Sequence, residues 1–127
     1  MREDMLYTAS FYEPRHWVGV RYRISRSHPR GRRTEWEVLP PLYPSRSLLT
    51  EYRNGDLDFY ALDLRYREEL DETCERDPAF REFLGSLPAI GEFTLLCFEP
   101  QGVPCHRRSA AAWLLEQAPG LELGQLR

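Results

Sequence analysis

The sequence contains no lysine; all seventeen of its basic residues are arginine. Only two isoleucines, Ile24 and Ile90, and one asparagine, Asn54, accompany ten prolines. GC-rich codon usage accounts for that bias, but its physical consequence is independent of the cause. Every cation here is a permanently charged planar fork suited to carboxylate or phosphate. No apolar run approaches the roughly 18 residues that a membrane-spanning helix needs. Residues 1–10 carry two acids and lead into no apolar stretch of the kind that forms a secretory signal. Cysteine is scarce and odd in number, three in all, which without such a signal predicts thiols in a reducing compartment, with the cytoplasm as the expected location. Internal repeats, low-complexity tracts and interdomain linkers are absent too, so the expectation is one domain over residues 1–127.

What is present is ordinary for a folded chain: 42% hydrophobic, 13% aromatic and 29% charged residues. The net charge of −3 hides an asymmetry. Residues 1–53 hold ten arginines against six acids, and the remainder holds seven against fourteen. Residues 21–33 alone carry six arginines and His28 with no acid, a local anion-attracting surface on an otherwise acidic protein.

Along the chain, MLYTAS (residues 5–10) reads as a short strand, and FYEPRH as a loop broken by Pro14. Residues 17–25 alternate, with Val18, Val20, Tyr22 and Ile24 on one face, as a half-buried strand does. Residues 26–34 contain no apolar side chain and form a loop; residues 36–39 predict a brief extended segment stopped by Pro40 and Pro41. A first helix is expected over 47–54, capped by Ser45 or Ser47. A second, capped by Asp56, would bury Leu57, Tyr60, Ala61 and Leu64 and run to about Glu75. Asp77-Pro78 opens a third helix ending near Leu87. The continuous run FTLLCFE, 93–99, suits a central parallel strand covered on both faces. A last helix opens at 105–109 and stops at Pro119-Gly120, with an edge strand over 121–126. The order of elements predicts an α/β fold: a single-domain three-layer sandwich with a small, mainly parallel sheet covered by helices.

Chemistry concentrates at 94–114, where the buried strand leads through a loop into a helix beginning Cys105-His106-Arg107-Arg108. Ligands of parallel α/β sheets sit at such strand ends, and helix N-termini favour anions. The same place stabilises a thiolate, and neighbouring cations lower a cysteine pKa further. Counting excludes some mechanisms. A phosphatase-type arginine would stand at Val103 or Ala111, and a Cys-x-x-Cys couple is missing. Cys97, Cys105 and His106 match no standard zinc spacing and lack a fourth ligand, so no metal site and no cofactor are read from the chain.

The run LLCFEPQGVPCHRRSAAAWL resembles the C-terminal signature of the domain of unknown function 488 family. There a hydrophobic strand ending in Cys, then Glu, leads to a Cys-His-Arg triplet on a helix. LYTAS is similar to that family's first strand, YRISRSHPRGRR to its Ser-Arg-Ser-x-Pro-like turn, and residues 39–70 to the linker and paired helices of its short members. The resemblance covers about residues 6–115. It implies a compact α/β sandwich and no settled activity, and by position it marks Arg26, Cys105, His106 and Arg107, with Glu99 upstream and Tyr66 on the tyrosine-bearing helix.

Three functional expectations follow. The first is an enzyme acting on a phosphorylated or nucleotide-like substrate, with Cys105 as nucleophile or polar anchor and His106 moving protons. Glu99 would orient His106 or Arg107, Arg26 and Arg107 would clamp the anion, and Arg30 would stand at the rim with Arg32 and Arg33. The second is a non-catalytic module binding a nucleotide or nucleic-acid end in the same place. In the third the triplet is structural and the chain serves protein interactions. The expected partner is thus a phosphate-containing small molecule or nucleic-acid end, with no membrane and the oligomeric state left open. Trp17, Tyr22 and Trp36 are expected in the core, not as stacking platforms for bases.

Overall fold

A computed structural model describes residues 5–26, 28–31, 33–97, 106–118 and 120–126. Five strands, β1 (Met5–Ser10), β2 (Val20–Arg23), β3 (Glu37–Val38), β4 (Phe93–Cys97) and β5 (Glu122–Leu126), form one sheet. The spatial order is β3-β2-β4-β1-β5, and every pairing is parallel. Four helices accompany them: α1 (Arg46–Arg53), α2 (Phe59–Arg76), α3 (Pro78–Ile90) and α4 (His106–Gln117). This is the small parallel α/β sandwich expected from the order of elements.

Handedness decides how its layers form. The chain moves one way across the sheet from β1 to β2 to β3 and the other way from β3 to β4 and β4 to β5. Right-handed crossovers then put the two sets of connections on opposite faces. Residues from all four helices share a cluster with Leu6, Phe93 and Leu95, one face of the sheet. On the other face Ala9 and Leu96 pack against Phe11 and Trp36, with Trp17 beside them. That rear layer is the β1–β2–β3 connection itself, including the 3-10 turn Pro14–His16. Trp36 is 8% exposed and touches the rings of Phe11 and Trp17, so it belongs to the core as expected. Tyr22 packs edge-on to Phe83 and Phe93, and burial, helped by the charge of Glu37, raises its phenol pKa.

The central strand is β4, buried at all five positions, which is why its sequence is apolar without alternation. At the start of β2 the Thr94 hydroxyl donates to the Val18 carbonyl at 2.7 Å and accepts the Val18 amide at 2.8 Å. Gly19 follows at φ +65, and Val20 then donates to the Glu92 carbonyl at 3.1 Å. This clamp sets the register of the short β2.

Helix starts are chemically explicit. Ser45 caps α1, Asp58 caps α2 and Asp77 caps α3 through side-chain oxygens on backbone amides. The α2 cap corrects the expectation of Asp56, and the buried face differs as well. Leu62, Tyr66 and Leu70 point inward, while Tyr60 and Leu64 are 71% and 47% exposed. The neighbours of α2, namely α4, α3 and α1, select that stripe over the equally spaced one beside it. Trp113 of α4 stacks on Phe80 at 5.8 Å and donates to Asp71 at 2.8 Å, locking three helices together. No helix among the described residues is long and apolar enough to cross a membrane.

Candidate functional site

β4 is flanked by β2 and β1, whose connections leave over the rear face, while its own connection leaves over the helical face. In open α/β sheets, connections that diverge in this way mark the carboxyl end of the strand between them as the place where ligands bind. Three strand ends converge there. Ser10 lies opposite Cys97 in register, and the Phe11 amide donates to the Cys97 carbonyl at 2.9 Å. The Ile24 amide donates to the Leu96 carbonyl at 3.2 Å, extending β2 to the same edge.

His106 stands at the beginning of α4, 5% exposed, and is held from three sides. Its Nε2 donates to the Ile24 carbonyl at 2.8 Å. A carbonyl only accepts, so Nε2 carries a proton, and in the neutral ring the lone pair lies on Nδ1. The Tyr66 ring meets the imidazole edge-on at 5.5 Å and its hydroxyl donates to the Leu42 carbonyl at 2.6 Å. Cys97 Sγ lies 3.6 Å from Nδ1 and 3.9 Å from Nε2. A sulfur nearly equidistant from both nitrogens is on the lone-pair axis of neither. Cys97 therefore supports the ring, and the contact is not the aligned thiol–imidazole pair that activates a nucleophile.

The other residues singled out by sequence are distributed around this point. Arg107 follows His106 and is fully enclosed, 0% exposed. Cys105 and Glu99 lie outside the described residues. Arg26 is two residues beyond Ile24; its Nε donates to the Pro44 carbonyl at 2.8 Å, and it lines a cavity of about 300 Å³ with Tyr43, Ser45, Glu69, Thr73 and Arg76. Arg107 is not among the residues lining that cavity. Within it, Glu69 accepts from both the Ser45 amide, at 2.9 Å, and the Ser45 hydroxyl, at 2.5 Å. An internal carboxylate thus occupies the start of α1. Arg30 stands exposed in the turn with Gly31.

The basic stretch divides by role. Arg23 donates to the Ser25 carbonyl at 3.1 Å and the Tyr43 hydroxyl at 2.8 Å, shaping the backbone just before Arg26. Arg21 lies over the Trp17 ring at 5.1 Å. Arg26, Arg30 and Arg33 remain exposed, and Arg32 is outside the described residues. Sequence reasoning missed the Ile24 carbonyl as a partner, since a backbone atom leaves no trace in residue identity. It also left Cys97 in the strand. Tyr66 carries a readable signal, the four-residue spacing of Leu62, Tyr66 and Leu70.

Compared with known proteins, residues 6–118 match the sequence model of one family, DUF488-N3a, described as the active DUF488-N3 subclade. No curated protein and no solved structure matches the chain.

Proposed function

The chain belongs to the domain of unknown function 488 family, and from that premise we propose that it is an enzyme taking a phosphorylated or nucleotide-like substrate in the crevice beyond β4. The observation that carries this reading is the pinned imidazole. His106 sits where three strand ends meet, its Nε2 proton given to Ile24 and its orientation held by Tyr66 and Cys97. A preorganised group at such an edge suits proton transfer.

In this reading His106 moves the proton, Cys105 is the nucleophile or polar anchor, and Glu99 is the carboxylate that orients His106 or Arg107. Arg107 adds a permanent positive charge to the start of α4, where the helix dipole also favours an anion. The exposed Arg26 and Arg30 attract the anionic substrate from the rim.

Thermal shift with a panel of phosphates, nucleotides and short oligonucleotides tests the proposal. A ligand at 100 times its Kd adds about 2.7 kcal/mol of stability, a shift of several degrees. The expected result is stabilisation of the wild type by a phosphorylated small molecule, with a smaller shift in Arg26→Ala. No stabilisation by any member overturns the reading. Stabilisation by oligonucleotides alone, fading steeply with salt, replaces catalysis with nucleic-acid binding.

A further inference from the structure

The cavity of about 300 Å³ beside Arg26 is at the small end of the range for ligand pockets, and neither His106 nor Arg107 lines it. Its walls come from three segments: Arg26 after β2, residues 41–45 ahead of α1, and the stretch of α2 from Glu69 to Arg76. Bonds within the protein hold the stems of its polar groups and leave their ends available. Arg26 donates through Nε to the Pro44 carbonyl at 2.8 Å, and its two terminal nitrogens have no acceptor among the described residues. The Tyr43 hydroxyl accepts from Arg23 at 2.8 Å; a guanidinium only donates, so the phenolic hydrogen of Tyr43 remains to be given. Glu69 is engaged by the Ser45 amide and hydroxyl.

The charges of the cavity are unpaired with one another. The ion pairs of α2 join Arg65 to Glu51 and Arg67 to Asp63 and Glu116. Among the described residues Arg26, Glu72 and Arg76, all exposed, take part in none. Two guanidiniums and two carboxylates therefore line one small cavity with a formal charge of zero. A simple anion entering it meets Glu69 and Glu72, and a simple cation meets Arg26 and Arg76. A ligand that carries both signs satisfies both sets. The free donors of Arg26, Arg76 and Tyr43 suit a carboxylate, which a planar fork grips with two parallel bonds. With Glu69 held by Ser45, Glu72 is the acceptor left for an ammonium group.

We propose that this cavity binds a small zwitterion, a free α-amino acid, with its carboxylate on Arg26, Arg76 and Tyr43 and its ammonium group on Glu72. The small volume suits a single amino acid. The site is separate from the proposed phosphate-binding crevice, although Arg26 borders both.

Titration of the full chain with the standard L-amino acids, one at a time, tests this through backbone ¹H–¹⁵N spectra. The expected result is saturable shifts at Tyr43, Ser45, Thr73 and Arg76 with at least one of them. Propionate, which lacks the amine, and ethylamine, which lacks the carboxylate, should bind at least tenfold more weakly. Glu72→Gln and Arg76→Ala should each weaken the amino acid about tenfold or more, as the loss of a hydrogen bond to a charged group does. Both side chains are exposed, so the variants should melt with the wild type. If no amino acid moves these signals, the proposal fails. It fails also if propionate or inorganic phosphate binds there as tightly and Glu72→Gln strengthens that binding, since the site then takes simple anions. The crevice reading is judged apart from it, because a phosphorylated ligand bound beyond β4 should stabilise wild type, Glu72→Gln and Arg76→Ala alike.

Discussion

Gly19→Ala destabilises the protein by about 3–5 kcal/mol, a large part of the 5–15 kcal/mol typical of a native domain. Gly19 has φ +65, a conformation that costs an L side chain about 1–2 kcal/mol. The greater penalty is steric: a Cβ at this position would stand 2.0 Å from the Glu92 carbonyl oxygen and 2.5 Å from its carbon. Both atoms are backbone, so relief requires the strands to separate. Separation strains the Val20–Glu92 hydrogen bond and the two bonds between Val18 and Thr94, each contributing about 1 kcal/mol. Gly31→Ala is the control. Gly31 also has a positive φ, +78, but nothing lies within 4 Å of its added Cβ. It should lose only about 1 kcal/mol, the conformational part alone. Urea denaturation of both variants measures the difference, and equal losses would show that the β2–β4 approach is loose. The result bears on the site, since β2 delivers the Ile24 carbonyl to His106.

The legibility of the sequence follows from how far each signal reaches along the chain. FTLLCFE reads as a buried strand because both faces of β4 are covered, and composition alone records that. Asp77-Pro78 marks the start of α3 because cap and first-turn proline are adjacent. The α2 face was not legible. Tyr60 and Leu64 repeat with the same spacing as Leu62, Tyr66 and Leu70, and only the packed partners choose between them. The start of α4 was legible as chemistry from Cys-His-Arg, but what holds His106 was not. Its partners come from three other elements: a carbonyl beyond β2, a ring on α2 and the last residue of β4.

His106→Ala is the second variant with a large expected effect, a loss of about 2–4 kcal/mol. Removing the ring leaves the Ile24 carbonyl, in a residue 0% exposed, without its imidazole donor, a cost of about 1–3 kcal/mol. It also opens a void between Tyr66 and Cys97 that neighbouring side chains fill only in part. His106→Gln separates the two contributions. Its terminal amide nitrogen can take the place of Nε2 and donate to Ile24, so about 1 kcal/mol or more should return. The shorter side chain of His106→Asn matches the position of Nδ1 instead and should recover less. If Gln and Asn are both as unstable as Ala, the bond to Ile24 contributes little and the imidazole is not pinned as described. Where Gln does restore stability, it supplies a folded protein without a titrating ring at the start of α4. Any loss of phosphate response in that variant, compared with wild type at equal stability, belongs to the chemistry of the imidazole. A purely structural His106 predicts no such loss.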